Sequence, residues 1–107
     1  MSGADTVAVF GLGPVGLCGT LFAAARGANV IGIDPVAERR DLARSLGAAM
    51  TVDPTEHDPT LAIMDATGGK GSSKGVDYSG NPEAQQAMIA SAAKWGRVAL
   101  VGVGESF

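Results

Sequence analysis

Cysteine, histidine and aromatic residues are scarce in this 107-residue chain: one Cys, one His and 5% aromatics. Cys18 alone allows no internal disulfide. With His57 as the single histidine, the sequence offers no CxxC pair and no Cys/His cluster for a metal. Such cysteine usage fits a reducing, cytoplasmic setting. Positive charge is also thin. Eight Lys and Arg stand against 11 Asp and Glu, a net charge of −3, and no basic run occurs. Nucleic acid and anionic membrane surfaces are therefore not expected partners. Residues 68–75 are rich in Gly, Ser and Lys, but lack the Gly-Lys-Ser/Thr spacing of a P-loop. They read as a solvated turn. Residues 6–25 are uncharged and about long enough to span a bilayer. Gly11, Gly13, Pro14, Gly16 and Gly19 interrupt that stretch, and no basic residue precedes it as in a signal peptide. It reads as a buried strand followed by a buried helix.

Glycine and small aliphatic residues are plentiful. An apolar run at residues 6–10 leads into Gly11-Leu12-Gly13-Pro14-Val15-Gly16. An alanine-rich segment follows, then a second apolar run at 29–33 that ends on Asp34. This is strand, glycine turn, helix, strand, acid, the context a dinucleotide-binding fingerprint requires. Gly11 permits the sharp turn, Gly13 lets backbone approach a diphosphate, and Gly16 lets the helix lie close to the sheet. Pro14 suits the first helical position but has no N–H, so Val15 and Gly16 are the expected donors. Asp34 is placed to accept from the adenosine ribose hydroxyls. A 2′-phosphate there would face like charge, so NAD is expected over NADP. Arg39 and Arg40 weigh mildly the other way.

Beyond Asp34 the spacing predicts a helix over 36–46, with Leu42 and Leu46 on its apolar face and Gly47 as its stop. A third strand follows at 48–52. Asp58 and Pro59 open a third helix, with Leu61, Ile63 and Met64 on its apolar side. The fourth strand is expected at 76–79. Asn81 caps a fourth helix whose buried stripe runs through Ala84, Met88 or Ala87, Ser91 and Trp95. A fifth strand is expected at 97–103. Alternating strands and helices imply an α/β, doubly wound parallel sheet in the order 3-2-1-4-5, with a ligand where the order reverses.

These residues converge on a family. The chain resembles the cofactor domain of the medium-chain, zinc-type alcohol and polyol dehydrogenases. The resemblance rests on the glycine turn, Ile33-Asp34 with Arg39, Ala43 through Leu46-Gly47-Ala48, Ser79-Gly80-Asn81, and Trp95-Gly96-Arg97-Val98 leading into Val101-Gly102-Val103-Gly104. It implies that Arg39 pairs with Asp34 across the adenosine ribose or lies beside the adenine. Ser79, Gly80 and Asn81 would contact the nicotinamide-side ribose. Val101, Gly102 and Val103 would meet the nicotinamide carboxamide. The implied cofactor is NAD. Zinc is implied in the family's catalytic domain, for which this chain has no ligand set. The expectation is one NAD-binding domain over residues 1–107, lacking the catalytic domain and the family's sixth strand. Alone it would bind NAD weakly and turn over nothing, and no residue here is assigned a catalytic role. The valine-rich edge of the fifth strand is expected to pair with another copy.

Several residues carry a duller reading. Cys18 is expected to be a small buried apolar residue, and His57 a solvated loop residue. Tyr78 is expected to pack rather than stack on a ligand, Asp77 to face solvent, and Trp95 to anchor a helix end. Two other functions remain open at this point: a nucleotide-sensing regulatory module, and a methyltransferase-like domain. Ser79-Gly80-Asn81 and Trp95-Gly96-Arg97 favour the dehydrogenases.

Overall fold

A computed structural model of the chain describes the backbone of residues 5–100 and the side chains of residues 5–92. Its elements alternate: β1 (Thr6–Phe10), α1 (Pro14–Ala25), β2 (Asn29–Ile33), α2 (Ala37–Ser45), β3 (Met50–Val52), α3 (Pro59–Ala66), β4 (Ser72–Asp77), α4 (Pro82–Ser91) and β5 (Ala92–Leu100). All strand pairs are parallel, in the order β3-β2-β1-β4-β5. The order reverses between β1 and β4, as the sequence pattern predicts.

Central parallel strands are covered on both faces, so β1 and β2 are apolar at nearly every position. Successive residues feed opposite faces. Val7, Val9 and Val30 pack with Leu12, Ala23 of α1 and Ala43 of α2. Ala8, Phe10, Ile31, Ile33 and Val52 pack with Ile63 of α3 and Met88 of α4. Helix α1 stops just before Gly27, and α2 just before Gly47, its expected stop. Ala28 N–H donates to the Ala23 carbonyl and Ala48 N–H to that of Ala43, closing both helices in the same way. The uncharged stretch at 6–25 is β1 plus the 12-residue α1. Among the described residues no helix is long and apolar enough to cross a membrane.

Some expectations give way. Strand β4 starts at Ser72, inside the stretch read as a loop, and ends at Asp77 rather than Ser79. Its polar start is held by tertiary partners. Ser73 Oγ accepts from Thr6 N–H at 2.9 Å and donates to the Thr6 carbonyl at 3.1 Å, and Lys74 Nζ meets Asp5 at 3.0 Å. Cys18 is exposed, not buried. Helix α1 buries Gly16, Thr20 and Ala23; Cys18 lies two residues from both Gly16 and Thr20, about 200° around the helix. On α2 the buried position is Ala43, while Leu42 is exposed; on α3 Ile63 is buried and Leu61 exposed. Helix α4 ends at Ser91 because Ala92 is already extended (φ −71°, ψ 144°), so Trp95 belongs to β5 and not to the helix stripe. The fifth strand thus begins five residues before its expected start at Arg97, and its register against β4 shifts between Ser72 and Lys74.

Candidate functional site

The carboxyl ends of β1, β2 and β4 meet at the reversal of strand order. Gly11 leaves β1 with φ +97°, and its N–H donates to the Ile33 carbonyl at 2.8 Å. A Cβ on Gly11 would lie 2.8 Å from the Ser79 backbone nitrogen. Glycine is needed there for both conformation and space. A Cβ on Gly16 would lie 1.9 Å from the Gly11 carbonyl oxygen, so Gly16 closes the same turn. Tyr78 fills the space under α1, its hydroxyl 3.2 Å from where a Gly19 Cβ would sit, and packs against the core as expected.

Gly13 differs. It is the N-cap of α1, with extended backbone, and a Cβ there would meet nothing within 4 Å. Pro14 occupies the first helical position, and helix bonding begins with Leu17 N–H donating to the Gly13 carbonyl at 2.9 Å. The amides of Val15 and Gly16 lie ahead of that first bond, where a helix presents donors to an anion.

Asp34 is 3% exposed and follows β2 directly. Its Oδ2 accepts from Leu12 N–H and its Oδ1 from Val36 N–H, each at 2.8 Å. A carboxylate has about four acceptor positions, so two remain. Arg39 Nη1 lies 3.6 Å from Oδ2, with its side chain half exposed. Arg39 and Asp34 thus form an ion pair at the end of β2.

The turn after β4 is built around Asp77, which is fully buried rather than turned to solvent. Its Oδ1 accepts from Ser79 N–H (2.9 Å) and from the Ser79 hydroxyl; its Oδ2 accepts from Gly80 N–H (3.3 Å) and Gln85 Nε2 (3.0 Å). Those donors draw the carboxylate inward. Ser79 Oγ also accepts from Asn81 N–H at 3.1 Å. Asn81 caps α4, its Oδ1 accepting from Glu83 and Ala84 N–H at 2.8 and 3.3 Å. The side chains of Ser79 and Asn81 therefore shape the turn first.

A cleft of about 400 Å³ lies between these loops. Gly11, Asp34, Ser79 and Asn81 line it among the expected site residues. Gly13, Pro14, Val15, Gly16, Arg39 and Gly80 do not line it; Gly16 meets Gly11, Arg39 meets Asp34, and Gly80 follows Ser79 in sequence. Val101, Gly102 and Val103 lie outside the described residues. Pro54 and Thr55, in the loop after β3, form a wall that motif reading passed over. Asp77, expected to face solvent, is instead the buried centre of the turn after β4. Among the described residues no group of three or more His, Cys, Asp or Glu could hold a metal ion.

Sheet order, glycine turn and strand-end acid place the chain in the doubly wound Rossmann class of α/β domains. It belongs to the zinc-binding dehydrogenase family, whose model matches residues 14–106. L-threonine 3-dehydrogenase of Thermococcus kodakarensis is 40% identical over 96 residues, covering 89% of this chain and 27% of that protein. Class-3 alcohol dehydrogenase of Zea mays is 41% identical over 110 residues, covering 95% and 28%. The crystal structure of benzyl alcohol dehydrogenase from Acinetobacter calcoaceticus matches with a TM-score of 0.90 at 31% identity, covering 94% of this chain and 28% of that one. The chain spans less than a third of the length of each of these relatives.

Proposed function

We propose that this chain is the NAD(H)-binding part of a dehydrogenase that moves hydride between NAD and a hydroxyl-bearing carbon of an alcohol or polyol. Asp34 carries the reading. It is a buried carboxylate at the wall of the cleft, fixed by two backbone amides and keeping acceptor capacity for sugar hydroxyls. The open space at Gly13 supports it, since packing among the described residues does not call for a glycine there.

In this reading the amides of Val15 and Gly16 hold the diphosphate, and Asp34 with Arg39 holds the adenosine ribose. Ser79, Gly80 and Asn81 adjoin the nicotinamide-side ribose, and Val101, Gly102 and Val103 the carboxamide. Bound NAD supplies the hydride chemistry; the chain binds and orients it. The described residues do not fit a zinc site, so the reading assigns zinc and the proton relay to a catalytic domain such as the longer relatives have room for. In this reading the chain contributes one cofactor domain, and turnover needs a catalytic domain beside it. A cytoplasmic setting and pairing of two copies along β5 belong to the same reading.

Calorimetric titration of the folded chain with NAD, NADP and S-adenosylmethionine tests it. Saturable binding of NAD, with NADP weaker, is expected. The Asp34→Ser variant should narrow the gap between NAD and NADP about tenfold or more, because the like-charge penalty disappears. No saturation by NAD up to millimolar concentration, or tighter binding of S-adenosylmethionine, overturns the reading.

A further inference from the structure

Arg39 and Arg40 look equivalent in sequence, but the fold uses them differently. The Arg39 side chain is 52% exposed and that of Arg40 17%. Arg40 Nη1 donates to the Asp34 carbonyl at 2.9 Å and lies 3.5 Å from Asp53 Oδ2. One guanidinium nitrogen, with two hydrogens, thus ties the end of β2 to the residue that follows β3. The far anchor is firm. Asp53 Oδ1 accepts from Thr55 N–H (2.9 Å) and Thr55 Oγ1 (2.6 Å), and the Asp53 carbonyl accepts from Glu56 and His57 N–H at 3.1 and 3.0 Å. Pro54 and Thr55 on this loop line the cleft, as do Asp34 and Pro35 at the end of β2. Beyond the parallel ladder that pairs Ile33 with Val52, these walls are also joined by Asp34 N–H to the Val52 carbonyl, a long bond at 3.2 Å.

We infer that Arg40 and Asp53 are a positioning pair that sets the spacing of the cleft wall around the adenine end of the cofactor. This rests on the proposed NAD site. With the diphosphate at the glycine turn and the ribose on Asp34, the base continues past Asp34 toward Pro35, Pro54 and Thr55. Arg40 is mostly buried and commits Nη1 to this tie, whereas Arg39 is half exposed beside Asp34. Arg40 touches no ligand and acts through the wall.

The test uses the full chain and two probes, ADP-ribose and its 2′-phosphorylated form, with thermal melting run in parallel. Arg40→Met and Asp53→Asn should each weaken ADP-ribose binding about five- to tenfold, and the double variant no more than either alone, as coupled neighbours do. Both probes should weaken by the same factor. Arg40→Lys, which keeps charge and reach, should recover most of the affinity. If Arg40→Met melts too low to assay, Asp53→Asn, in an open loop, carries the test. Unchanged affinity in folded variants, additive losses, or a loss confined to the 2′-phosphorylated probe overturns the inference. If the unaltered chain binds neither probe, the NAD reading fails first and takes the inference with it.

Discussion

Asp34 and Asp77 stand at the carboxyl ends of β2 and β4, the two strands that flank β1; both are buried, and they differ in how far they are already used. Asp34 accepts two backbone amides and keeps room for a ligand. Asp77 accepts four donors, from Ser79 N–H, the Ser79 hydroxyl, Gly80 N–H and Gln85. Since a carboxylate has about four acceptor positions, Asp77 is saturated. One acid is poised to bind and the other builds the turn that binds. Burial alone does not separate these roles; the donor inventory does.

The largest effect should come from breaking the saturated acid. Asp77→Ala leaves four donors without their partner in a closed turn. A loss of about 3–4 kcal/mol is expected, in line with the removal of one member of a buried polar network. Asp34→Ala frees two amides and should cost about 1–2 kcal/mol, while lowering NAD affinity more than Asp77→Ala does relative to its stability loss. Urea unfolding and calorimetry on both variants check the contrast. Equal stability losses would erase it.

The two inner glycines sharpen the same point. An alanine at Gly16 puts a Cβ 1.9 Å from the Gly11 oxygen, so the turn must move. A cost of about 2–3 kcal/mol is expected, typical of overpacking. An alanine at Gly13 meets open space and has an allowed, extended backbone. Stability should change by about 1 kcal/mol or less, whereas NAD affinity should fall about tenfold or more, because the methyl occupies the diphosphate's approach. Thermal melts with and without NAD distinguish the two variants.

What was legible in the sequence follows from this contrast. The β1–α1–β2 unit could be read because its signals are local: apolar runs, spaced glycines, a proline at the helix start and an acid at the strand end. Strand order followed from the alternation of elements. The start of β4 could not be read, because Ser73 and Lys74 are strand residues by virtue of Thr6 and Asp5, more than 60 positions away. Buried Asp77 was missed for a similar reason, as Gln85 and the turn amides become its partners only once α4 is in place. Cys18 is exposed because its angle on α1, opposite Gly16 and Thr20, outweighs the usual burial of free cysteine. One signal was present and passed over. Asp34, Asp53 and Asp77 each stand at a strand end, and each accepts from the amide two residues on, Val36, Thr55 and Ser79.

Asp53 is the partly exposed member of that trio, and it gives the smallest effect. The Thr55 hydroxyl and then the Thr55 amide hold its carboxyl below the usual aspartate range. Partial burial opposes them, and Arg40 and His57 add to the lowering. A carboxyl lowered on folding stabilises the folded chain at pH values above its unfolded pKa of about 3.9, and that stability is lost as pH falls through the folded value. Asp53→Asn should therefore lower the urea midpoint modestly at pH 7, and the gap should close progressively below about pH 4. The comparison with Asp77 is then direct. Asp77→Ala leaves a cavity and unpaired turn donors whatever the pH, so part of its deficit should persist in acid wherever both proteins stay folded. If the Asp53→Asn gap stays constant from pH 7 into acid, the charge on Asp53 is not what steadies the loop, and shape alone holds that wall of the cleft.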